Sequence, residues 1–422
     1  MSTMPLPPLN DNNRELWLFT IRFPYGNGES FLESELPELC ARFARVILVP
    51  LYTERTQRSV PANARVWPPH EDPFRTASAV DILRHWAVWF DLVRSIRRSA
   101  PSATIFRKHW PVWRSRSRQA LRRAIVLHRT LFTRFTPGKV TLYSYWTADQ
   151  ATVLGLLRSM DPRVRFVTRM HGFDLYAERS PDGWPPLREF HLRQAERIHV
   201  ASEAGLRYLR ERYTTHRNLF VLGRLGTPDR GPGPWSASPV LRLVSCANLV
   251  PLKRVHLISE ALALCGIAVE WTHFGDGVER TKLEGRIAAL PPNVHVNLMG
   301  SLPNAELLRW YQINAVDLFV HVSSTEGGVP VSMQEAASFG IPLLACDTGG
   351  VNEIVDDHTG TLLPMDAAPE VIAQHLRAHR GSPRDTASFR QGVRARWSSR
   401  FNAHDVYGRF AEDLLIFATA HQ

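Results

Sequence analysis

The sequence is poor in the features that mark secreted, membrane-spanning and zinc-binding proteins. It has four cysteines in 422 residues and no C-x-x-C pair, so neither a disulfide framework nor a zinc site is expected. No apolar run approaches the roughly 20 residues that span a bilayer. The first sixteen residues lack the basic and apolar regions of a signal peptide, so the expected location is the cytoplasm.

Two common ligand-binding motifs are also missing. No G-x-G-x-x-G follows the first predicted strand of either half of the chain, which argues against a nicotinamide cofactor. The sequence has no D-x-D pair that could hold a divalent cation, and the adjacent Asp356 and Asp357 are predicted to lie in a turn without an obvious partner. The sequence therefore predicts neither a metal site nor a bound cofactor.

Acidic residues are absent from one long stretch. Residues 92–148 contain no Asp or Glu but thirteen Lys and Arg residues, whereas the whole chain has a formal net charge of +11. The rest of the chain is therefore close to neutral. Large apolar residues are interspersed with these arginines: Trp110, Trp113, Leu121, Ile125, Leu127, Leu131 and Phe132.

A basic stretch with interleaved apolar residues is typical of a helix that lies on an anionic membrane surface. We therefore expect residues 92–148 to bind the inner face of a membrane peripherally. A solvated basic face and a site for an acidic glycan stay open as alternatives. Nucleic acid is not an expected partner, because the chain contains no nucleic-acid-binding motif.

Apolar strands alternate with amphipathic helices along both halves of the chain. Such alternation predicts an α/β fold with parallel sheets that helices cover on both faces. Residues 226–238 are dense in Gly, Pro and Ser and form the clearest linker. The predicted organisation is a Rossmann-like domain over 1–225, this linker, and a second Rossmann-like domain over 239–395.

The most informative stretch is 321–360. Together with the apolar run that begins at Leu318, it has the pattern of a strand, a glycine turn, a helix and a second strand that begins at Leu343. Gly327 and Gly328 allow the backbone to approach a ligand closely, and the free N–H groups at the helix start attract phosphate. Glu326 precedes these glycines and Glu335 lies on the helix. Amides beside carboxylates suit a nucleotide-sugar, since amides can bind the diphosphate and carboxylates can bind hydroxyls.

This stretch resembles the donor-binding signature of family 4 retaining glycosyltransferases. Their GT-B fold has two doubly wound domains that face each other across a cleft. Seven residues separate two glutamates in that family, whereas eight separate Glu326 from Glu335 here. The resemblance implies that Glu335 binds ribose hydroxyls. It also implies that the first domain binds the acceptor, the second binds the donor, and a C-terminal helix over 396–422 packs back on the first domain.

The segment 245–262 resembles a second element of the same family, a strand followed by a loop with proline and lysine and then a helix. Lys253 occupies the position of the family's lysine, which stabilises charge on the donor diphosphate. Asn248 stands where the family commonly has an arginine, and Arg254 is expected to assist the lysine. The alternative is that Lys253 and Arg254 are solvated residues at a helix start.

In the first half, His171 ends a predicted strand and is followed by glycine. The family has a His-Gly pair here, which implies that His171 contacts the transferred sugar or organises the reaction. Asp174 either contacts a substrate or serves as a turn residue. The turn after the first strand, with Gly26, Asn27 and Gly28, resembles the family's glycine-rich loop.

The resemblance therefore implies His171, Lys253 and Glu326 as catalytic residues. The residues predicted to bind substrate are Gly26, Asn27, Gly28, Asn248, Arg254, Gly300, Gly327, Gly328, Val329 and Glu335. The implied reaction moves a hexose-type sugar, with retention, from a nucleotide-diphosphate sugar to a glycan or lipid-linked saccharide, in the synthesis of a cell-surface polysaccharide or glycolipid. A GT-B sugar-nucleotide epimerase and a catalytically silent nucleotide-sugar-binding partner stay open as alternatives.

Overall fold

The computed structural model describes residues 14–26, 28–67, 78–130 and 139–419. The chain divides into two compact units. The first unit comprises Met1–Val200, Leu206–Gly223 and Tyr407–Gln422, and the second comprises Ala201–Gly205 and Arg224–Val406. Asn27, Leu131 and Phe132, which the sequence analysis singled out, lie outside the described residues.

The first unit is built on a parallel sheet of seven strands in the order β3-β2-β1-β4-β5-β6-β7. The strands are β1 Glu15–Thr20, β2 Arg45–Pro50, β3 Ala64–Val66, β4 Val140–Ser144, β5 Phe166–Met170, β6 Arg197–Val200 and β7 Phe220–Leu222. Every residue of β1, β4 and β5 is buried. These strands appear as continuous apolar runs because helices cover both faces of the sheet.

The helices of the first unit follow the strands in alternation. They are α1 Leu32–Arg42, α2 Ala79–Arg84, α3 Trp86–Ser99, α4 Ala103–Thr130, α5 Asp149–Met160, α6 Arg188–Gln194 and α7 Glu203–Arg212, the last of which begins in the second unit. The basic stretch of the sequence thus falls mainly on α3 and α4.

The second unit has a parallel sheet of six strands in the order β10-β9-β8-β11-β12-β13. Its strands are β8 Leu241–Cys246, β9 Val269–Phe274, β10 Val294–Gly300, β11 Leu318–His321, β12 Leu343–Cys346 and β13 Gly360–Leu363. Its helices are α8 His256–Cys265, α9 Arg280–Ile287, α10 Asn304–Ile313, α11 Val331–Ser338, α12 Pro369–His379 and α13 Ala387–Phe401. These two doubly wound units confirm the predicted fold class.

The final helix, α14, spans Ala403–Thr419 and contributes to the core of the first unit. Phe410 and Leu414 pack with Tyr143 and other buried residues of that unit. The guanidinium of Arg169, on β5, lies 4.2 Å from the centre of the Phe410 ring. Arg169 is fully buried and donates a hydrogen bond of 2.5 Å to the carboxylate of Glu35 on α1. The last helix therefore covers a buried ion pair of the first unit.

The structure differs from the expectation that the apolar residues of α4 face a membrane. Leu121, Ile125 and Leu127 are buried in the core of the first unit, and Trp113 packs against that core. Trp110 is partly buried and stacks on another aromatic ring. The apolar side of α4 is therefore interior surface. Within the described ranges, no helix combines the length and apolarity needed to cross a bilayer.

In each sheet the strand order reverses direction at one point, between β1 and β4 in the first unit and between β8 and β11 in the second. In such sheets the loops that follow the two central strands diverge at this point, and a ligand-binding crevice is expected there at the carboxyl ends of the strands. Loops at these two points carry most of the predicted site residues.

Candidate functional site

The crevice of the second unit brings two predicted catalytic residues into contact. Lys253 ends a short 3-10 turn after β8, and Glu326 lies in the loop after β11. The Lys253 Nζ donates a hydrogen bond to Glu326 Oε1. The same oxygen lies 2.9 Å from Nε2 of His321, the last residue of β11. A cation, a carboxylate and an imidazole thus meet where the strand order reverses.

The surroundings of Glu326 keep its carboxylate charged. Burial acts to raise the pKa of Glu326, but the hydrogen bond with His321 and the charge of Lys253 outweigh burial and lower the pKa to about 2. The carboxylate is therefore ionised at neutral pH and can accept hydrogen bonds from hydroxyl groups. His321 was not predicted as a site residue, although it is a histidine at a strand end, as His171 is.

The glycines around Glu326 permit close packing of two loops. Gly349, which follows β12, has a φ of +58°, and a Cβ atom there would lie 2.3 Å from the carbonyl oxygen of Glu326. A Cβ atom on Gly350 would lie 2.7 Å from the carbonyl carbon of Gly328. Only glycine allows this approach. The loop with Gly349 and Gly350 therefore packs directly on the backbone of the Glu326 loop and fixes its position.

The three predicted substrate-binding residues that follow Glu326 differ in their exposure. Gly327 and Gly328 are partly exposed. The side chain of Val329 packs in the core with Met333 and Phe339, so only its backbone is available to a substrate. Helix α11 then begins at Val331.

Arg254 has a clear structural role. It adopts a left-handed conformation with a φ of 48°. Its guanidinium donates hydrogen bonds to the carbonyl groups of Val322 (2.8 Å), Ser323 (3.1 Å) and Met365 (2.7 Å). Arg254 thus ties the loop after β8 to the loop after β11, and its predicted contact with the donor stays a prediction. Asn248 is exposed at the carboxyl edge of the sheet.

Glu335 lies on α11 with only 5% of its surface exposed. Burial raises the pKa of Glu335 to about 7, although a hydrogen bond of 2.6 Å from the Asn304 amide acts to lower it. Asn304 is the first residue of α10 and was not predicted as a site residue. The charge of Glu335 is therefore poised to change near neutral pH.

Backbone contacts tie the loops after β8, β9 and β10 together. A Cβ atom on Gly275 would lie 1.9 Å from the carbonyl oxygen of Ala247, so these loops need glycine. The amide of Gly275 donates a hydrogen bond of 2.8 Å to the carbonyl of Gly300. Gly300 is thus part of the rim of this crevice, and its predicted contact with a nucleotide stays a prediction.

In the first unit, His171 follows β5 and is buried against two aromatic rings. Its ring centre lies 4.7 Å from that of Tyr145 and 4.2 Å from that of Trp146. Burial, together with the charge of Arg169, holds the pKa of His171 well below its ordinary value, so the imidazole is neutral at pH 7. Neither ring nitrogen has a hydrogen-bond partner among the described residues. Both nitrogens are buried, so the hydrogen-bonding capacity of this ring is unused within the described part of the chain.

Asp174 holds the backbone around His171. Its carboxylate accepts hydrogen bonds from the amides of His171 (2.8 Å), Gly172 (3.3 Å) and Thr147 (3.0 Å). These bonds join the segment after β4 to the segment after β5. Of the two alternatives that the sequence left open for Asp174, these contacts favour the structural one.

The glycine-containing loop after β1 is organised by a residue that the sequence analysis did not select. Glu29 has a φ of 54°, and its carboxylate accepts hydrogen bonds from the amides of Ile21 (3.0 Å), Arg22 (2.7 Å) and Phe23 (2.8 Å). It also accepts a hydrogen bond of 2.7 Å from the indole of Trp146. Glu29 therefore occupies the amides at the start of this loop and fixes the ring that packs on the predicted catalytic histidine.

The flanking glycines differ in their surroundings. Gly26 has a φ of +59° and a Cβ atom there would lie 3.0 Å from the carboxylate of Glu54, whereas the space around Gly28 is open. Their predicted role in substrate binding stays a prediction.

The predicted catalytic residues are thus divided between the two units. Lys253 and Glu326 are together in the second unit, and His171 lies in the first. Within the described part of the chain, no group of three or more His, Cys, Asp and Glu side chains is arranged to hold a metal ion.

Comparison with known sequences shows that much of the second unit matches a family model. Residues 238–391 match the model of the family described as glycosyl transferases group 1. The chain is 28% identical over 181 residues to the amylovoran biosynthesis glycosyltransferase AmsK of Erwinia amylovora, covering 41% of this chain and 44% of that protein. It is 32% identical over 156 residues to a GDP-mannose-dependent alpha-mannosyltransferase of Mycobacterium tuberculosis, covering 37% and 36%. The chain therefore spans less than half the length of each of these two curated relatives.

Comparison with solved structures extends over nearly the whole chain. The sucrose-phosphate synthase of Thermosynechococcus elongatus matches with a TM-score of 0.69 and 13% identity, covering 96% of this chain and all of that chain. HepE of Anabaena, in complex with UDP-glucose, matches with a TM-score of 0.63 and 16% identity, covering 94% and 99%. At these identities the likeness concerns the fold alone. The chain thus has a GT-B fold, and its residues 238–391 match the family described as glycosyl transferases group 1.

Proposed function

We propose that this protein is a retaining glycosyltransferase that transfers a hexose-type sugar from a nucleotide-diphosphate sugar. The observation that carries the proposal is the contact of Lys253 with Glu326 and His321 at the crevice of the second unit. The match to the glycosyl transferases group 1 family includes all three residues. HepE, of the same fold, is bound to UDP-glucose, and the mycobacterial relative is GDP-mannose-dependent, which supports a nucleotide-diphosphate hexose as the donor class.

In the proposed reaction, the second unit holds the donor. The Lys253 ammonium stabilises the charge that develops on the departing diphosphate, together with the free amides at the start of α11. Glu326 accepts hydrogen bonds from sugar hydroxyls, and Glu335 accepts them from the ribose. With a lysine and helix amides available to balance this charge, the proposed reaction is metal-independent.

The proposed transfer forms one bond and breaks one bond at the anomeric carbon. The bond from this carbon to the diphosphate oxygen breaks, and a bond to the acceptor hydroxyl oxygen forms on the same face of the sugar. The acceptor proton passes to the departing phosphate oxygen. For His171, whose imidazole is neutral at pH 7, we propose the role that the resemblance of its His-Gly pair implies, which is to contact the transferred sugar or to organise the reaction.

We propose a glycan or lipid-linked saccharide as the acceptor and a cell-surface polysaccharide or glycolipid as the product. AmsK, which the chain resembles, is a glycosyltransferase of amylovoran biosynthesis. We further propose that the enzyme works in the cytoplasm and binds the inner face of the membrane peripherally through its basic helices. The excess of arginine on α3 and α4 supports this location.

The first experiment is thermal melting with UDP, GDP, ADP and their hexose conjugates. A ligand at a hundred times its Kd should stabilise the protein by about 2.7 kcal/mol. Lys253→Ala and Glu326→Ala should lose this shift, whereas Lys282→Ala, which changes an exposed lysine on α9, should keep it. The proposal fails if no nucleotide shifts the wild type or if Lys253→Ala responds like the wild type.

Donor turnover then separates the alternatives. A glycosyltransferase consumes donor in step with glycosylated acceptor. An epimerase isomerises or hydrolyses the donor without an acceptor. A catalytically silent partner binds the donor and leaves it unchanged.

A further inference from the structure

Helix α3 carries an outer face that changes from aromatic to basic along its length. Trp86 and Phe90 are 60% and 49% exposed, and their ring centres are 6.3 Å apart. One turn further on, the Arg94 guanidinium lies 5.6 Å from the centre of the Phe90 ring. Arg98 follows one turn later and is exposed. These four residues recur every fourth position and therefore share one side of the helix, whereas Leu92 and Ile96 are buried on the other side.

The basic end of this face opens into a cavity of about 740 Å³ within the first unit. The cavity lies between α3, the segment before α6, α6 itself and the end of α7. Two acids, Asp91 and Glu189, contribute to its lining. Five arginines also line it: Arg94, Arg98, Arg188, Arg193 and Arg212. The cavity is therefore strongly positive.

Within the described part of the chain, much of this charge has no acidic partner. Arg98 forms no hydrogen bond or ion pair with any residue that the structure describes. The same is true of Arg94, whose guanidinium lies over the Phe90 ring. The buried Arg188 donates its hydrogen bonds to the carbonyl groups of residues 174 and 175, and no carboxylate within the described ranges forms a salt bridge with it. Only Arg193 has an acidic partner in the lining, Asp91 at 3.5 Å.

Several guanidinium groups around one cavity match the chemistry of a phosphate group. Each guanidinium offers planar paired donors, and a phosphate offers several charged acceptor oxygens. Exposed aromatic rings beside such a site match the boundary between headgroups and acyl chains, because they can insert while the arginines stay at headgroup level.

We propose that this cavity binds the phosphate of an anionic membrane lipid, with Trp86 and Phe90 inserted into the surface beside it. The apolar side chains that enter the membrane surface thus lie on the outer face of α3 and not on α4, whose apolar side is core. Its role in presenting a membrane-bound acceptor rests on the proposed function, whereas lipid binding itself does not.

Vesicle sedimentation tests the proposal with the full chain. The wild type should pellet with vesicles of phosphatidylglycerol and phosphatidylcholine but not with phosphatidylcholine alone. Arg94→Gln combined with Arg98→Gln should weaken binding by about 25-fold, since each arginine contributes roughly fivefold at an anionic surface. Trp86→Ser with Phe90→Ser should weaken it by about tenfold or more.

The matched control is Arg65→Gln combined with Arg309→Gln, which removes the same charge from exposed positions on β3 and α10. It should bind like the wild type. If the control loses as much vesicle binding as the Arg94 and Arg98 variant, the loss is due to net charge alone and the proposal is overturned. Nucleotide-induced melting shifts should be unchanged in every variant, so a failure of lipid binding is distinguishable from a failure of donor binding.

Soluble probes distinguish the source of the phosphate. Glycerol 3-phosphate at millimolar concentration should not stabilise the wild type as strongly as anionic vesicles do. If glycerol 3-phosphate or inorganic phosphate stabilises the wild type but anionic vesicles do not bind, the ligand is a soluble phosphate ester and the lipid assignment is wrong. Binding of polygalacturonate in place of vesicles would likewise overturn it in favour of an acidic glycan.

Discussion

Replacing Glu335 with glutamine should stabilise the protein at neutral and alkaline pH while weakening nucleotide binding. Burial raises the pKa of Glu335 in the folded state from its ordinary 4.5 to about 7. Glutamine has nearly the same shape, carries no charge, and can still accept the hydrogen bond from the amide of Asn304. The variant therefore removes the cost of burying a charge and keeps the local contacts.

The sign of the effect on stability follows from the pH at which the Glu335 carboxyl loses its proton in the unfolded and in the folded state. Below pH 4.5 the carboxyl of Glu335 is protonated in both states, so its ionisation does not affect stability. Between pH 4.5 and 7 the unfolded chain has released the proton while the folded chain retains it, so the free energy of unfolding falls as the pH rises. Above pH 7 the loss is complete and amounts to about 3 kcal/mol for a shift of this size.

The assay is thermal melting of the wild type and of Glu335→Gln from pH 5 to pH 8 without ligand. The melting temperatures of the two proteins should differ little at pH 5, and the variant should melt roughly 6–12 °C higher at pH 8, at about 2–4 °C for each kcal/mol in a unit of this size. Glu370→Gln, which changes an exposed glutamate on α12, should show no such pH-dependent gain.

Binding of the responsive nucleotide gives the second measurement. Loss of a charge-assisted hydrogen bond to ribose should weaken binding by roughly 10- to 100-fold, which corresponds to about 1.5–3 kcal/mol. A melting difference that does not change with pH would refute the reasoning about Glu335 burial. Unchanged nucleotide affinity in a stabilised variant would instead refute its role at the ribose.

Two further predictions concern the loops that position Glu326 and His171. Gly349→Ala should abolish nucleotide binding, because its Cβ would collide with the backbone of Glu326. Gly381 has a similar φ of +67° but open space around it, so Gly381→Ala should bind normally. Equal binding by both variants in the melting assay would contradict this. Trp146→Phe should lower kcat with little change in the KM for donor, because the hydrogen bond to Glu29 is lost and the ring is free to tilt; kinetics like those of the wild type would exclude this positioning role.

The sequence predicts the elements of this fold well because local patterns determine them. The apolar runs at Leu318 and Leu343, separated by a glycine turn and a short helix, become β11, α11 and β12. The contact of Lys253 with Glu326 follows from the resemblance, since parallel sheets bring the carboxyl ends of neighbouring strands to one edge.

Side-chain partners at long range were not predictable in this way. Glu29 and Trp146 are 117 residues apart, and the amide of Asn304 meets Glu335 across 31 residues. No local pattern of the sequence indicates pairs of residues that are so far apart along the chain. The misplaced membrane face on α4 has a related cause: periodicity shows which side of a helix is apolar, as at Leu121, but not whether protein or lipid covers it.

The return of α14 to the first unit has a consequence for biosynthesis. Phe410 covers Arg169, so the core of the first unit is incomplete until α14 has left the ribosome. The second unit, whose sequence lies almost entirely between Arg224 and Val406, can fold earlier, which reverses the usual order in which the amino-terminal domain folds first. A fragment that ends at residue 225 would leave a buried charge and an aromatic surface uncovered, and it should aggregate unless the final helix is supplied in trans.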